Sequence, residues 1–372
     1  MMRYPTFARS LLRAQLRQTD LPRLLTYIVT FTCNARCVMC DSWRKPSNDL
    51  SLDEIGRIFS QLPQLDAVRL SGGEPFIRKD LPQIVELVRT ELQPFVLHIT
   101  SNGFLTDRIV AFCEERDRSQ PLQLLISIDG VGAKHDQVRG IGHAFERAIE
   151  TVRALAPRQR ELRLKLAVNQ TIVDPEGIAH YRELRELLAP LGVRNHLIIA
   201  YDDSATYNLA AERCIGPRYP GELRTFGSFT AAELQALLDE AERDLVRYAW
   251  PERIAKRYYL DGARQRLLAR EPSPNPICIA LSSHMRMLPD GSVPTCQFNT
   301  VPAGNLRETP FAELWAGEQA KRQRAWVKAC PGCWAECEVL PNAIYSGDLA
   351  RHAATSLVRA ARATQKRLLP IR

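Results

Sequence analysis

Cys33-Asn34-Ala35-Arg36-Cys37-Val38-Met39-Cys40 follows directly on Leu24–Phe31, an apolar run with the β-branched content of a strand. Three thiols at C-x3-C-x2-C on one short loop can converge on a single metal centre. They are one ligand short of the four that tetrahedral zinc or a fully ligated iron–sulfur cluster takes. A coordination position left open is where a metal does chemistry instead of holding structure. Three neighbouring core cysteines, or a zinc site completed from elsewhere in the chain, are the competing readings. Asn34, Ala35, Arg36 and Asp41 have the composition of a loop, which weighs against a buried segment.

Outward from this loop the chain alternates between two periodicities. Apolar strand-like runs recur at Leu24–Thr30, Ala67–Leu70, Phe95–Thr100, Leu122–Ile128, Leu164–Ile172 and His196–Ala200. Helical patterns separate them near 81–91, 106–117, 142–155 and 178–189. Another runs from Ser51 to about Leu62, opened by the capping box Ser51-Leu52-Asp53-Glu54. Apolar strands separated by helices predict an α/β fold, a parallel sheet with helices on its outer face. Periodicity alone does not separate a doubly wound sheet from a curved partial barrel.

Parallel sheets place their ligands at the carboxyl ends of the strands, and polar motifs stand at several such ends. The second strand runs into Ser71-Gly72-Gly73-Glu74-Pro75, where glycines admit close backbone approach and Glu74 offers a carboxylate to a cationic group. A tight strand-to-helix turn is the plainer reading. The third strand ends in Thr100-Ser101-Asn102-Gly103 and the fourth in Ser127-Ile128-Asp129-Gly130, followed by His135-Asp136-Gln137-Val138-Arg139-Gly140. Arg139 in a surface ion pair and His135 in helix-start packing are the alternatives to a ligand role. Asn169 ends the fifth strand. Cys113, beside Ala111 and Phe112, reads as a small buried hydrophobe. Cys214 lies in a Tyr-, Gly- and Pro-rich loop, Asp202–Gly227, that either closes over a substrate or only connects.

The cysteine spacing after a first strand resembles the signature of the radical S-adenosylmethionine (SAM) superfamily, with Met39 where an aromatic residue usually precedes the third cysteine. The resemblance implies a partial (β/α)6 TIM-like barrel, and a [4Fe-4S] cluster held by Cys33, Cys37 and Cys40 whose fourth iron binds SAM. It also implies cofactor contacts at Gly72, Gly73, Glu74 and Pro75, which match the family's GGEP motif, and at Asn102, Ser127 and Arg139.

Glu271-Pro272-Ser273-Pro274-Asn275-Pro276 reads as a stiff linker and a domain boundary. Beyond it come Cys278, Cys296, Cys330, Cys333 and Cys337. Met285–Pro294 predicts a hairpin turning at Asp290-Gly291 that folds Cys296 back beside Cys278. Cys330-Pro331-Gly332-Cys333 supplies a second pair, and two pairs make a four-thiolate site for zinc or an iron–sulfur cluster. The region is similar to the SPASM and twitch extensions of radical SAM enzymes, through Gly291-x4-Cys296, Gly304-Asn305 and the distal C-x2-C. That similarity implies one auxiliary [4Fe-4S] cluster on Cys278, Cys296, Cys330 and Cys333, with Cys337 either an alternative ligand or a nearby free thiol. The expected division is 1–23 basic segment, 24–270 barrel and following helices, 271–345 auxiliary cluster domain, 346–372 basic helix.

Of the net charge of +8, residues 1–23 carry +4 and 348–372 carry +5, leaving a body near −1. Basic ends suit solvated helices or an anionic membrane surface, while the neutral body argues against nucleic acid as a partner. With no apolar span or signal segment, and with cysteines clustered for metal, a reducing cytoplasm is expected. The resemblance implies reductive cleavage of SAM to a 5′-deoxyadenosyl radical and hydrogen abstraction from a peptide or small molecule. The auxiliary cluster would take part in electron transfer, and a flavodoxin or ferredoxin would act as donor. A lipid substrate, or a non-enzymatic protein with two zinc sites that binds nucleic acid, are the alternative readings.

Overall fold

The computed structural model describes residues 12, 21–201, 206, 207, 209 and 225–355. Most of the two basic ends and the part of the 202–227 loop that carries Cys214 lie outside the described residues, so the expectations for them stay as stated.

Seven strands, β1 (Leu24–Ile28), β2 (Ala67–Ser71), β3 (Val96–Ser101), β4 (Leu122–Ser127), β5 (Leu164–Ile172), β6 (Arg194–Ile199) and β7 (His284–Met287), form one sheet. Their order is β6-β5-β4-β3-β2-β1-β7, and every neighbouring pair is parallel. Helices α1 (Leu52–Phe59), α2 (Leu81–Leu87), α3 (Thr106–Glu115), α4 (Ala133–Arg139), α5 (Ala144–Leu155) and α6 (Gly177–Leu188) connect the first six strands. The Ser51 capping box starts α1 as expected: Glu54 N–H donates to Ser51 Oγ, and Ser51 N–H donates to the Glu54 carboxylate at 2.8 Å.

Alternation along the strands builds two different faces. Val68 and Leu70, Leu97 and Ile99, Leu124 and Ile126, and Leu166 and Val168 bury outward under the helices, with Ile55, Ile58, Phe59, Ile84, Ile109, Ala148 and Val152. Arg69, His98, Gln123, Lys165 and His196 point the other way and line a lumen. The strands are therefore not continuously apolar, as the sequence reading has them; they are apolar on the helix side and polar on the inner side.

Helix α7 (Ala231–Arg243) packs against α8 (Trp250–Arg264), which lines the open side of the lumen together with, later in the chain, α11 (Glu336–Tyr345). Around them Tyr181, Leu237, Leu238, Tyr258, Tyr259, Trp334 and Val339 form a second core. Between them lie β8 (Ser292–Pro294), β9 (Pro302–Asn305), α9 (Phe311–Ala316) and α10 (Glu318–Ala329). The turn at Asp290-Gly291 is present, with Gly291 at φ +88° and Leu288 N–H donating to Ser292 O. Its arms do not make the expected hairpin. β7 extends the barrel sheet in parallel beside β1, and β8 pairs with β9 instead. The segment after residue 271 is thus joined to the barrel through a strand.

Candidate functional site

The cysteine loop is held by backbone at both sides. Gly73 N–H donates to Thr30 O at 2.8 Å and Glu74 N–H to Thr32 O at 2.9 Å, which lays the β2–α2 loop along the residues just before Cys33. Glycine is required there by packing: a Cβ on Gly73 would stand 2.3 Å from Thr32 O, and one on Gly72 would stand 2.3 Å from Thr30 O. On the far side Arg36 N–H donates to Arg139 O and Val38 N–H to Val138 O, so α4 carries the loop's other edge. Asn102 Nδ2 donates to Asn34 Oδ1 at 2.7 Å, a third tie, from the end of β3.

One cavity of about 310 Å³ is lined at once by Cys33, Cys37, Cys40, Gly72, Gly73, Asn102, Ser127 and Arg139. Ser71, Thr100 and Asn169 contribute from neighbouring strand ends. The structure thus gathers five of the seven expected cofactor-side positions, all but Glu74 and Pro75, with the three cysteines. Arg139 is buried, against the surface reading: its Nε stands 2.8 Å from Asp129 Oδ2 and its Nη1 3.6 Å from Cys37 Sγ. His135 is a core residue, as its bland reading has it. Its Nδ1 accepts from Asp129 N–H at 2.8 Å, and burial holds the ring neutral by pushing its pKa down.

Glu74 and Pro75 stand outside the cavity wall. Glu74 is fully buried and its carboxylate accepts from Phe76 N–H at 3.0 Å, Ser101 Oγ–H at 2.9 Å and Asn102 N–H at 2.6 Å. Desolvation lifts its pKa to about 7, against the pull of those donors. Its geometry is that of a brace between the ends of β2 and β3, not of a free carboxylate awaiting a cation, and Gly72 and Gly73 alone bring that motif to the wall.

The donor set fits an iron–sulfur centre. The nine cysteines among the described residues are free thiols, and burial pushes Cys33 up to about 12 and raises Cys37. Such thiols ionise on binding metal, releasing protons, and the buried Arg139 guanidinium is placed to receive the charge on Cys37. Among the described residues no three His, Cys, Asp or Glu side chains are gathered closely enough for a single ion.

A second, separate pocket is lined by Cys278, Cys296, Cys330 and Cys333, with Phe298, Trp326 and Val327. Burial raises the thiols of Cys278 and Cys333 and brings Cys296 to about 12. The linker residue Asn275 is part of this site: its Nδ2 donates to Pro331 O at 2.9 Å, and Gly332, at φ +97°, leaves room for its side chain. Trp334 anchors the same turn, stacked on Tyr259 with its indole N–H donating to Tyr259 O at 2.9 Å. Cys337 is not in this pocket. It faces the barrel, where its Sγ donates to Gln297 Oε1 at 3.0 Å and it lines the cavity of the first three cysteines. Cys337 thus stands at the barrel cavity, apart from the pocket of the other four cysteines.

Sequence reasoning missed the lumen below. A cavity of about 390 Å³ continues past Ser71, Thr100, Asn169 and Cys337 to Arg69, His98, Lys165, His196, Lys256 and Arg286. The signal for it was present as charged and imidazole residues at alternate positions within otherwise apolar strands.

Residues 27–189 match the model of the Radical SAM superfamily, and residues 278–337 that of the SPASM iron-sulfur cluster-binding domain. An AdoMet-dependent heme synthase of Methanosarcina barkeri is 24% identical over 348 residues, covering 85% of this chain and 92% of the relative. An Fe-coproporphyrin III synthase of the same organism is 26% identical over 322 residues, covering 80% and 74%. Among solved structures, Streptococcus suis SuiB bound to precursor peptide SuiA shares the fold with a TM-score of 0.55 at 16% identity, over 84% of this chain and 69% of that one. Among the described residues no helix is long and apolar enough to cross a membrane.

Proposed function

We propose, for a chain that belongs to the radical SAM superfamily and carries a SPASM domain, that SAM lies along Gly72, Gly73, Asn102, Ser127 and Arg139 beside a cluster on Cys33, Cys37 and Cys40. The observation that carries this reading is the single cavity shared by all eight residues and opening into the lumen. A cluster held by Cys33, Cys37 and Cys40 would supply the one-electron reducing chemistry for cleavage of SAM and hydrogen abstraction from a substrate carbon. Cys278, Cys296, Cys330 and Cys333, which line one pocket, would hold a second cluster and supply a one-electron acceptor.

The residues of this chain do the positioning. Gly72 and Gly73 offer backbone polar groups to the amino acid end of SAM, while Ser127 and Asn102 offer hydroxyl and amide groups. Arg139 places a fixed positive charge, held by Asp129, next to the sulfur of Cys37. Glu74 keeps the strand ends in register. The strand walls and helices α8 and α11 keep bulk water from the reacting carbon.

For the substrate we favour a small molecule in the lumen, with tetrapyrroles first to be tried, because relatives that align with most of this chain are named for heme and coproporphyrin synthesis. A peptide is the second reading; the SuiB structure, which holds a precursor peptide, is the observation that favours it. The setting is a reducing cytoplasm with a flavodoxin or ferredoxin as electron donor. The test is anaerobic incubation of the reconstituted protein with SAM and dithionite. It should form 5′-deoxyadenosine, and formation should accelerate with the true substrate. A protein that binds SAM nowhere near these residues, so that Ser127→Ala with Asn102→Ala leaves SAM affinity unchanged, overturns the assignment.

A further inference from the structure

One row of side chains crosses the lumen at a single register. Thr26 pairs with Arg286 on one side and with Arg69 on the other, Arg69 with His98, His98 with Gln123, and Gln123 with Lys165. All six line the same cavity, joined by Lys256 from α8. A row of this composition across the inside of a sheet is expensive to desolvate unless each charge is answered.

Most of the charges are answered. Lys165 pairs with Glu252 at 2.5 Å, and Arg194 pairs with the same carboxylate. Lys256 pairs with Glu336 at 2.5 Å and Arg286 with Glu338 at 2.5 Å. Five cations, Arg69, Lys165, Arg194, Lys256 and Arg286, therefore share three carboxylates, which leaves two positive charges over. Arg69 holds one of them. It donates from Nη1 to Cys337 O at 2.7 Å, and among the described residues no carboxylate lies within ion-pair distance of it. Guanidinium carries five N–H donors in a planar fork suited to a carboxylate, so most of the fork remains for a ligand. Among the described residues the ring of the neighbouring His98 hydrogen-bonds to Thr100 Oγ1, 3.1 Å away, and burial, with the Arg69 and Lys165 charges, holds it neutral.

We infer that this lumen is a carboxylate-binding site, in which Arg69 anchors an acidic group of the substrate while Lys165 and Lys256 add to the positive field. The inference rests on the small-molecule reading above and narrows it to a polycarboxylate. The anchor lies at the floor of the barrel and the cysteine cavity at its mouth, the two joined through Ser71, Thr100, Asn169 and Cys337. An acid seated on Arg69 directs the rest of the molecule towards the SAM contacts, so the anchor selects which carbon meets the radical.

The probes are coproporphyrin III, which bears free carboxylates, and its methyl ester, which has the same ring without the charges. Each is titrated into full-length, cluster-loaded protein under anaerobic conditions and followed by the porphyrin absorbance band. The wild type should bind the acid and not the ester. Arg69→Gln should weaken the acid by about tenfold to a hundredfold, the range for losing a charge-assisted hydrogen bond, and Arg69→Lys should recover part of it. Iron content and melting temperature should stay at wild-type values in both variants, which separates loss of the anchor from loss of the fold. A wild type that binds neither probe, or binds the ester as well as the acid, overturns the inference, as does an Arg69→Gln protein with undiminished acid binding. Loss of basal SAM cleavage in the wild type would instead strike the reading of the cysteine cavity, so the two failures are distinguishable.

Discussion

Replacing Gly73 by alanine tests how the cysteine loop is positioned. The new Cβ would stand 2.3 Å from Thr32 O and 2.6 Å from Phe31 O, where ordinary contact begins at 3.4 Å. Both obstacles are main chain, so no side-chain rotation relieves them, and the two loops must part by about 1 Å. Two backbone hydrogen bonds lie across that seam, Gly73 N–H to Thr30 O and Glu74 N–H to Thr32 O. Overpacking costs about 1–3 kcal/mol and each of the two weakened hydrogen bonds about 1 kcal/mol, so a loss of about 3–5 kcal/mol is expected. Cys33 follows Thr32 directly, and a misplacement of this size costs about a hundredfold in rate when reacting groups must align. The assay is 5′-deoxyadenosine formation under anaerobic conditions, with thermal melting in parallel. Gly142→Ala serves as control, since nothing lies within 4 Å of a Cβ there. A Gly73→Ala protein that melts with the control and cleaves SAM at the wild-type rate would refute the packing argument.

The thiol assignments separate by iron content: Cys337→Ser should keep about eight irons, the content of two four-iron clusters, whereas Cys333→Ser should fall towards about four; equal losses would return Cys337 to the ligand set. Gly262→Ala drives a Cβ to 1.9 Å from the Trp334 ring. It should cost about 2–3 kcal/mol in melting experiments and release auxiliary iron through the adjacent Cys333, and an unchanged melt would count against the stacked anchor. Glu74 supplies a pH dependence. Its folded pKa near 7 lies above the ordinary 4.5, so between those values the folded chain holds a proton that the unfolded chain has released. Its contribution is therefore fully present below about pH 4.5 and is lost as pH rises through 7, a change on the order of 3 kcal/mol. Denaturant melts of the cluster-free protein from pH 5 to 8 should show that fall, and Glu74→Gln should flatten it; a wild-type slope of the opposite sign contradicts the assignment.

The first six strands and the helices between them were legible because each strand's outer half is apolar and each helix buries a stripe such as Ile55, Ile58 and Phe59. Helix α4 was missed: its seven residues, Ala133–Arg139, are largely polar, yet Lys134, His135 and Arg139 are buried through ion pairs and hydrogen bonds that spacing does not reveal. The strand β7 read as one arm of a hairpin because the Asp290-Gly291 turn is local, while its pairing with β1 lies more than 250 residues away in sequence. At the site, C-x3-C-x2-C and the strand-end motifs could be read directly. The inward turn of Glu74 could not, since it depends on donors from Ser101 and Asn102 on another strand. The lumen was hidden for a related reason: Arg69, His98 and Lys165 are far apart in the chain and meet only through register.

The central claim is that two cysteine groups hold two different centres, one open for SAM and one closed. The most direct measurement is iron content with SAM cleavage in anaerobically reconstituted Cys33→Ala/Cys37→Ala/Cys40→Ala protein, beside the wild type. The wild type should be brown, hold about eight irons per chain and form 5′-deoxyadenosine; the triple variant should hold about four and form none. A triple variant that still makes 5′-deoxyadenosine, or a colourless wild type containing only zinc, would contradict it.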